Sequence, residues 1–436
     1  MTLIKGGNVI GAGKKTLDIL VENGRIVKIP NGFNETRATE VIDATGLTVA
    51  PGLVDMHVHF RDPGYEYKED IMSGAAAAAA GGVTTCCCMP NTSPVADNVD
   101  IIKYIIDKAK KAPVKVIPYG AVTHGQKGGE LTDFVALKVV GAAALSDDGA
   151  SIQSAGLMRR ALSLAREYGL LIISHCEDSE LVYNFAVNEG AVSHKLGING
   201  RPAIAEELMV ARDVMLAAET GARLHIAHVS TAGSVGIIRK AKAAGADVTA
   251  ETCPQYFSLT ENEIIRQGAL ARVNPPLRTA SDVEAIVDGI TDGTIDAIAT
   301  DHAPHSPDEK RKPLVDAPSG MIGLETMLAL SLTQLYHTGK LSLERTIGSM
   351  SANPASILRL DAGTLNEGAD ADIVIFDPGE EWIVDPDMFK SKSRNTPFTG
   401  MKLRGKVKYT ISRGEIVYRN DSTRFVQGVQ PASPYE

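Results

Sequence analysis

The segment Asp55-Met-His-Val-His-Phe-Arg-Asp-Pro63 closes an apolar run, Leu47 to Val54, and carries the pair His57 and His59. Alternate residues of a strand point to one face, so two imidazoles with this spacing can ligate one metal ion. A lone pair of this kind would equally fit an edge strand with two solvated histidines. Three further residues remove that reading: His175 follows Leu171-Ile-Ile-Ser174, His228 follows His225-Ile-Ala227, and Asp301 follows Ala297-Ile-Ala-Thr300. Imidazoles ending three apolar segments and a carboxylate ending a fourth make a borderline nitrogen and oxygen donor set. Zinc is the leading candidate for it, as one ion or two. His225 lies three residues before His228, so in an extended segment it points elsewhere and is expected to pack in the core.

A second metal needs a bridging anion, and a carbamylated lysine on the fourth strand is one solution that metal-dependent barrels use. Here the corresponding segment, Gly141 to Gly149, has no lysine and ends in Asp147 and Asp148. Asp148 is expected to ligate or bridge the metal, with Asp147 as runner-up. Asp301, in Ala299-Thr-Asp-His-Ala-Pro-His305, has a second task open to it. A carboxylate beside an activated water can take its proton and later deliver it to a leaving nitrogen. Arg61, two residues past His59 on the same face, is placed to receive a substrate carboxylate in a forked pair. Asn91 and Asn274 lie in loops where amides can fix polar groups of a substrate, although each alone would more often be a turn residue.

Eight short apolar segments must position these groups: Leu47 to His59, Val83 to Met89, Val114 to Val122, Ala142 to Asp148, Leu170 to His175, Ala222 to His228, Ala246 to Thr252, and Ile295 to Asp301. They alternate with helical stretches, which argues for parallel βα units, and eight such units for a closed α/β barrel of the (β/α)8 TIM-like kind. The unusual residues fall at the carboxyl ends of the segments, the face where such barrels keep their active sites. The six alanines after Gly74, with Asp70 as a cap, are expected to form a helix packed close to the barrel. The two chain ends differ from the middle. Residues 1–46 carry short alternating segments around Asn23-Gly24, a strong hairpin signal, and residues 362–436 do the same around Arg413-Gly414. They are read as one composite β-sandwich domain beside a barrel domain of residues 47–361, with Asp421 to Glu436 as a mobile or draped tail.

With 436 residues, 44% of them hydrophobic, the chain can bury a large core. No stretch reaches the roughly 20 apolar residues of a membrane-spanning helix. The opening residues lack the parts of a secretory leader, so a soluble protein of the cytoplasm is expected. Five cysteines, three of them consecutive at Cys86 to Cys88, do not make a disulfide framework. The net charge of −9 disfavours a nucleic-acid partner but leaves a small anionic substrate open, because one or two local cations suffice to hold a carboxylate.

Asp55 to Pro63 and Ala299 to Lys310 resemble the two signatures of the bacterial-type class I dihydroorotases of the amidohydrolase superfamily. Ser146-Asp-Asp-Gly149, His175-Cys-Glu177, His228-Val-Ser-Thr231 and Asn274-Pro-Pro-Leu-Arg278 fall between them in the expected order. The resemblance covers nearly the whole chain. It implies zinc held by His57, His59, Asp148, His175, His228 and Asp301, with Asp301 as acid and base. It also implies Arg61, Asn91 and His305 on the carboxylate of dihydroorotate, and Asn274 with the backbone near Gly320 on the ring. Ser319 departs from the family pattern, which has an aromatic residue there, and this bears on ring packing and substrate affinity. The implied reaction is the reversible cyclisation of N-carbamoyl-L-aspartate to L-dihydroorotate in pyrimidine synthesis. A homodimer is the base-rate expectation, and association with aspartate transcarbamoylase stays open.

Hydantoinases, dihydropyrimidinases and allantoinases share the fold and much of the mechanism. They usually carry the bridging lysine carbamate, and their substrates mostly lack the exocyclic carboxylate that Arg61 would bind. The other competing reading is an inactive homologue serving as a scaffold for aspartate transcarbamoylase. Such homologues typically lose metal ligands, whereas this chain keeps each one.

Overall fold

The computed structural model describes residues 1–11, 16–29, 35–182 and 186–420. The segment read as a tail, Asp421 to Glu436, lies outside them. Among the described residues, eight short parallel strands follow one another around a ring: Leu53–Val58, Val83–Cys88, Lys115–Pro118, Leu145–Ser146, Ile172–Ser174, Leu224–Ile226, Val248–Thr252 and Ala297–Ile298. Ladders join the first three and the last five. Two isolated parallel bridges, Gly120 with Leu145 and Val58 with His302, close the ring. At the second closure the His59 N–H donates to the His302 carbonyl at 2.9 Å. The (β/α)8 barrel expected from the alternation is present.

One strand differs from its expected extent. The apolar run from Leu47 is two strands, Thr48–Pro51 and Leu53–Val58, and only the second belongs to the barrel. Gly52 between them passes so close to Thr84 that a Cβ there would lie 2.2 Å from its Oγ1. A continuous buried run does not itself say where one sheet ends and the next begins.

Inside the ring, Met56, Cys87, Tyr119, Ala144, Ile173, Ala227, Ala297 and Ala299 form one buried cluster. The Tyr119 hydroxyl donates to the Met56 carbonyl at 3.0 Å. A larger cluster fills the space between strands and helices. Helix Ile71–Ala80 belongs to that layer. Asp70 caps it, its carboxylate accepting from the Ser73 N–H, and its small residues allow close packing. A Cβ at Gly74 would meet the Phe60 ring at 2.5 Å. All five cysteines are buried and unpaired, as the count suggested.

The other large sheet joins both chain ends. Its order is Glu415–Arg419, Lys402–Ser412, Ile373–Ile383, Thr48–Pro51, Thr2–Val9, Thr16–Glu22, Arg25–Val27, with Glu40–Asp43 also paired to Thr2–Val9. Because Glu40–Asp43 and Thr48–Pro51 share one edge of Thr2–Val9, the sheet folds over its own core, which includes Ile4, Val21, Ile42, Val49, Ile373 and Ile411. This is the β-sandwich expected from both termini. Asn23-Gly24 turns one hairpin at φ 50° and 78°, and Arg413-Gly414 turns another at φ 52° and 81°, as primed two-residue turns require.

Candidate metal centre

The carboxyl ends of the barrel strands converge on Asp148. Its Oδ1 lies 3.1 Å from His228 Nε2 and 3.3 Å from His175 Nδ1. Its Oδ2 lies 3.4 Å from both His57 Nε2 and His59 Nε2. One carboxylate thus faces two pairs of imidazoles through different oxygens. Asp301 stands on the first-strand side, its Oδ1 3.0 Å from His59 Nε2 and 3.6 Å from His57 Nε2. His175 Nδ1 and His228 Nε2 approach to 2.8 Å. All six side chains are buried.

The donor set fits a metal. Among the described residues, two groups have ligand atoms close enough to share an ion: His57 with Asp148 and His228, and His57 with His59 and Asp301. His57 Nε2, common to both, is buried without a hydrogen-bond partner. Burial penalises charge on Asp148, but His57 and the other imidazoles outweigh it and hold its pKa well below the usual carboxylate value. Burial likewise disfavours a charged His57, and Asp148 and Glu251 overrule it, raising its pKa well above 6.5. Strongly shifted buried groups of this kind gather at functional sites. Arg61, His228 and Asp301 adopt positive φ values of 62°, 33° and 49°. For residues with a Cβ this is strained backbone, and here it gathers at the mouth of the barrel.

Asp147, the runner-up, turns away. It accepts from the Val122 and Thr123 N–H groups at 2.8 and 3.0 Å and from the Thr123 hydroxyl at 2.5 Å, a structural role. His225 is buried, its Nδ1 2.8 Å from Thr249 Oγ1. Asn91 Oδ1 lies 2.9 Å from His59 Nδ1, and Asn274 Nδ2 lies 3.3 Å from His175 Nε2. Both amides therefore brace imidazoles of the cluster. Arg201 reaches both Asn274 and Glu177.

Above the metal side, Arg61 Nη2 is 3.5 Å from His305 Nε2, and Arg61 Nε donates to the Pro304 carbonyl. His305 Nε2 also lies 2.8 Å from the Ser319 carbonyl, and its Nδ1 lies 3.4 Å from Lys68 Nζ. Since a carbonyl only accepts, Nε2 carries the hydrogen. Burial and the cations Arg61, Lys68 and Lys310 push the His305 pKa down to about 2, leaving a neutral imidazole among positive groups. Gly320 differs from its expected use. Its N–H donates to the Arg272 carbonyl and its carbonyl accepts from Lys310 Nζ and Asn395 Nδ2, so both backbone groups are occupied. What this position requires is the missing side chain: at φ 137°, a Cβ would lie 2.7 Å from Ala303 Cβ and 3.1 Å from His305 Nε2.

Spacing alone missed Glu251, Asp55 and Lys68. Glu251 Oε1 lies 2.6 Å from His57 Nδ1. Asp55 accepts from the N–H groups of His57 and Thr300 and from the Thr300 hydroxyl, tying the first strand to the eighth. A buried carboxylate in an apolar barrel strand was the available signal for both.

A family model described as dihydro-orotase-like matches residues 46–234, and one described as amidohydrolase family matches residues 313–418. The chain is 51% identical over 421 residues to a dihydroorotase of Citrifermentans bemidjiense, covering 96% of this chain and 99% of that one. A dihydroorotase of Geobacter metallireducens is 52% identical with the same coverage. The chain belongs to the dihydroorotase family. It is therefore an amidohydrolase acting on a small-molecule substrate. Among solved structures, this dihydroorotase superposes on the L-hydantoinase (dihydropyrimidinase) of Arthrobacter aurescens with a TM-score of 0.85 at 28% identity, covering 98% of each chain. A D-hydantoinase from a Bacillus species matches with the same TM-score at 27% identity, covering 96% of this chain and 95% of that one. No helix among the described residues is long and apolar enough to cross a membrane.

Proposed function

We propose that this dihydroorotase interconverts N-carbamoyl-L-aspartate and L-dihydroorotate at a zinc centre of one or two ions held by His57, His59, Asp148, His175, His228 and Asp301. The observation that carries the reading is the carboxylate of Asp148, which faces one histidine pair with each oxygen. Zinc suits this donor set, and when bound it supplies Lewis acidity toward an amide carbonyl and a nucleophile from water near neutral pH.

The remaining work falls to the chain. Arg61 receives the exocyclic carboxylate as a forked cation, with the neutral imidazole of His305 beside it lining the same subsite. Asn91 braces His59 and contributes to the same subsite, while Asn274 and the chain near Gly320 flank the ring. In the hydrolytic direction Asp301 takes the proton of the attacking water. The carbon–oxygen bond forms, the ring carbon–nitrogen bond breaks, and Asp301 returns the proton to the leaving nitrogen. Cyclisation runs the same path in reverse.

The test is turnover of L-dihydroorotate and N-carbamoyl-L-aspartate by metal-analysed protein, beside hydantoin, dihydrouracil and allantoin, with an Asp301→Asn variant. Dihydroorotate turnover that drops by about 10²–10⁴ in the variant, the usual contribution of a general acid and base, supports the reading. Preference for an uncharged ring overturns the assignment of Arg61. The proposal extends to a cytoplasmic homodimer, and to association with aspartate transcarbamoylase. Light scattering of the chain alone and mixed with that enzyme decides both assembly states.

A further inference from the structure

Glu251 is the last residue but one of the seventh barrel strand, Val248–Thr252, is fully buried, and takes no part in the chemistry above. Its Oε1 lies 2.6 Å from His57 Nδ1. An ionised carboxylate only accepts, so Nδ1 carries the hydrogen. That leaves Nε2, the nitrogen directed between Asp148 and Asp301, as the one available to a metal. On its other side, Glu251 Oε2 lies 3.4 Å from Nε2 of the buried His225. Among the described residues, neither of those two atoms has a hydrogen-bond partner, and nor does His57 Nε2. His57, Glu251 and His225 therefore form a buried row leading from the barrel interior to the metal centre.

The row sets His57 apart from its neighbours. His59 is braced by the neutral amide of Asn91 and His175 by that of Asn274. Of these three imidazoles, only that of His57 is backed by a carboxylate. A buried negative charge beside a ligand imidazole orients the ring and makes the ligating nitrogen more electron-rich, and low surrounding polarity magnifies the effect. The same burial makes an isolated carboxylate costly, so Glu251 needs positive charge close by, and His57 and His225 flank it.

We propose that Glu251 is a positioning residue that locks His57 in its metal-ligating orientation and sets the metal affinity of the first-strand side of the centre. The inference rests on the reading of His57 as a ligand. His225 stands beside the second oxygen of Glu251 without hydrogen-bonding it.

Glu251→Gln keeps the size and one accepting oxygen but removes the charge. Metal-free wild type and variant are titrated with zinc against a chromophoric chelator, and with cobalt while visible absorption is followed. The expected result is zinc affinity lowered by roughly 10–100-fold, the range for losing such a support, with an altered cobalt spectrum and cooperative unfolding retained. Equal affinity in the two proteins overturns the inference while leaving the metal centre intact. A wild type that takes up no metal overturns the reading of the centre and this inference with it. If the variant does not fold, nitrogen-15 spectra of histidine-labelled, zinc-loaded wild type decide. A hydrogen on Nδ1 of His57 with Nε2 bound supports the assignment, and a hydrogen on Nε2 overturns it.

Discussion

Oδ2 of Asp148 stands 3.4 Å from Nε2 of His57, although the two residues end the fourth and first strands of the barrel. The other oxygen of the same carboxylate is turned to His228 and His175. Asp148→Asn keeps the shape and removes the charge that balances both halves of the centre. We expect metal affinity to fall by more than about 100-fold, beyond what loss of an outer support produces. Metal content after dialysis, by elemental analysis, checks this. A variant that retains full metal content would remove Asp148 from the ligand set.

Arg61 and His305 meet at 3.5 Å over the metal side. A charged hydrogen bond from Arg61 to a substrate carboxylate contributes about 1.5–3 kcal/mol, so Arg61→Met should raise KM for L-dihydroorotate by about 10- to 100-fold. Any turnover of dihydrouracil, which lacks the carboxylate, should change little. Steady-state kinetics on both substrates separates a carboxylate contact from general damage, since damage would lower both.

Metal uptake should depend on pH through His57. Burial works against its charge, but Asp148 and Glu251 hold its pKa well above 6.5 in the metal-free protein. The raised pKa favours the protonated ring, which must lose that proton to a metal, so affinity rises with pH and binding releases a proton. Calorimetry in buffers of different ionisation enthalpy measures the release, and none at pH 7 would count against the protonated state. The sign for stability follows from the same shift. The raised pKa stabilises the metal-free fold fully below about 6.5, the reference value, and that part is lost as pH climbs through the folded value. The melting temperature of metal-free protein should fall over that window.

Gly74 lies under Phe60, the neighbour of His59. Alanine there gains up to about 1 kcal/mol in helix propensity. Its Cβ would meet two ring carbons of Phe60 at 2.5 Å, inside any ordinary contact, and overpacking of that kind costs about 1–3 kcal/mol. The steric term wins, and Gly74→Ala should lower the melting temperature by several degrees. A variant at or above the wild-type melting temperature would show that Phe60 can yield.

Features encoded within a few residues were legible in the chain. The His57-Val-His59 alternation puts two rings on one face, Asn23-Gly24 and Arg413-Gly414 turn hairpins because they accept positive φ, and eight apolar segments alternating with helices make a barrel. Each depends on backbone geometry that neighbouring residues set by themselves. The single run read across Leu47 to His59 was the instructive difference. Hydrophobicity cannot tell Thr48–Pro51, which pairs with Ile373–Phe376, from Leu53–Val58, which pairs with the second barrel strand.

The sequence by itself determined which donors stand at strand ends, and therefore that a nitrogen and oxygen metal site lies at the carboxyl face of a barrel. Only the tertiary structure showed which of Asp147 and Asp148 faces the imidazoles, because adjacent residues differ by which way they point, and Thr123 captures the first while four imidazoles surround the second. It alone joined Glu251 to His57, and Lys68 and Arg61 to His305, since the register between elements distant in sequence is set by closure of the whole ring. It also showed that the hydrogen-bonding groups of Gly320 are already spent within the fold, and that Ala303 and His305 pack too close for any side chain there.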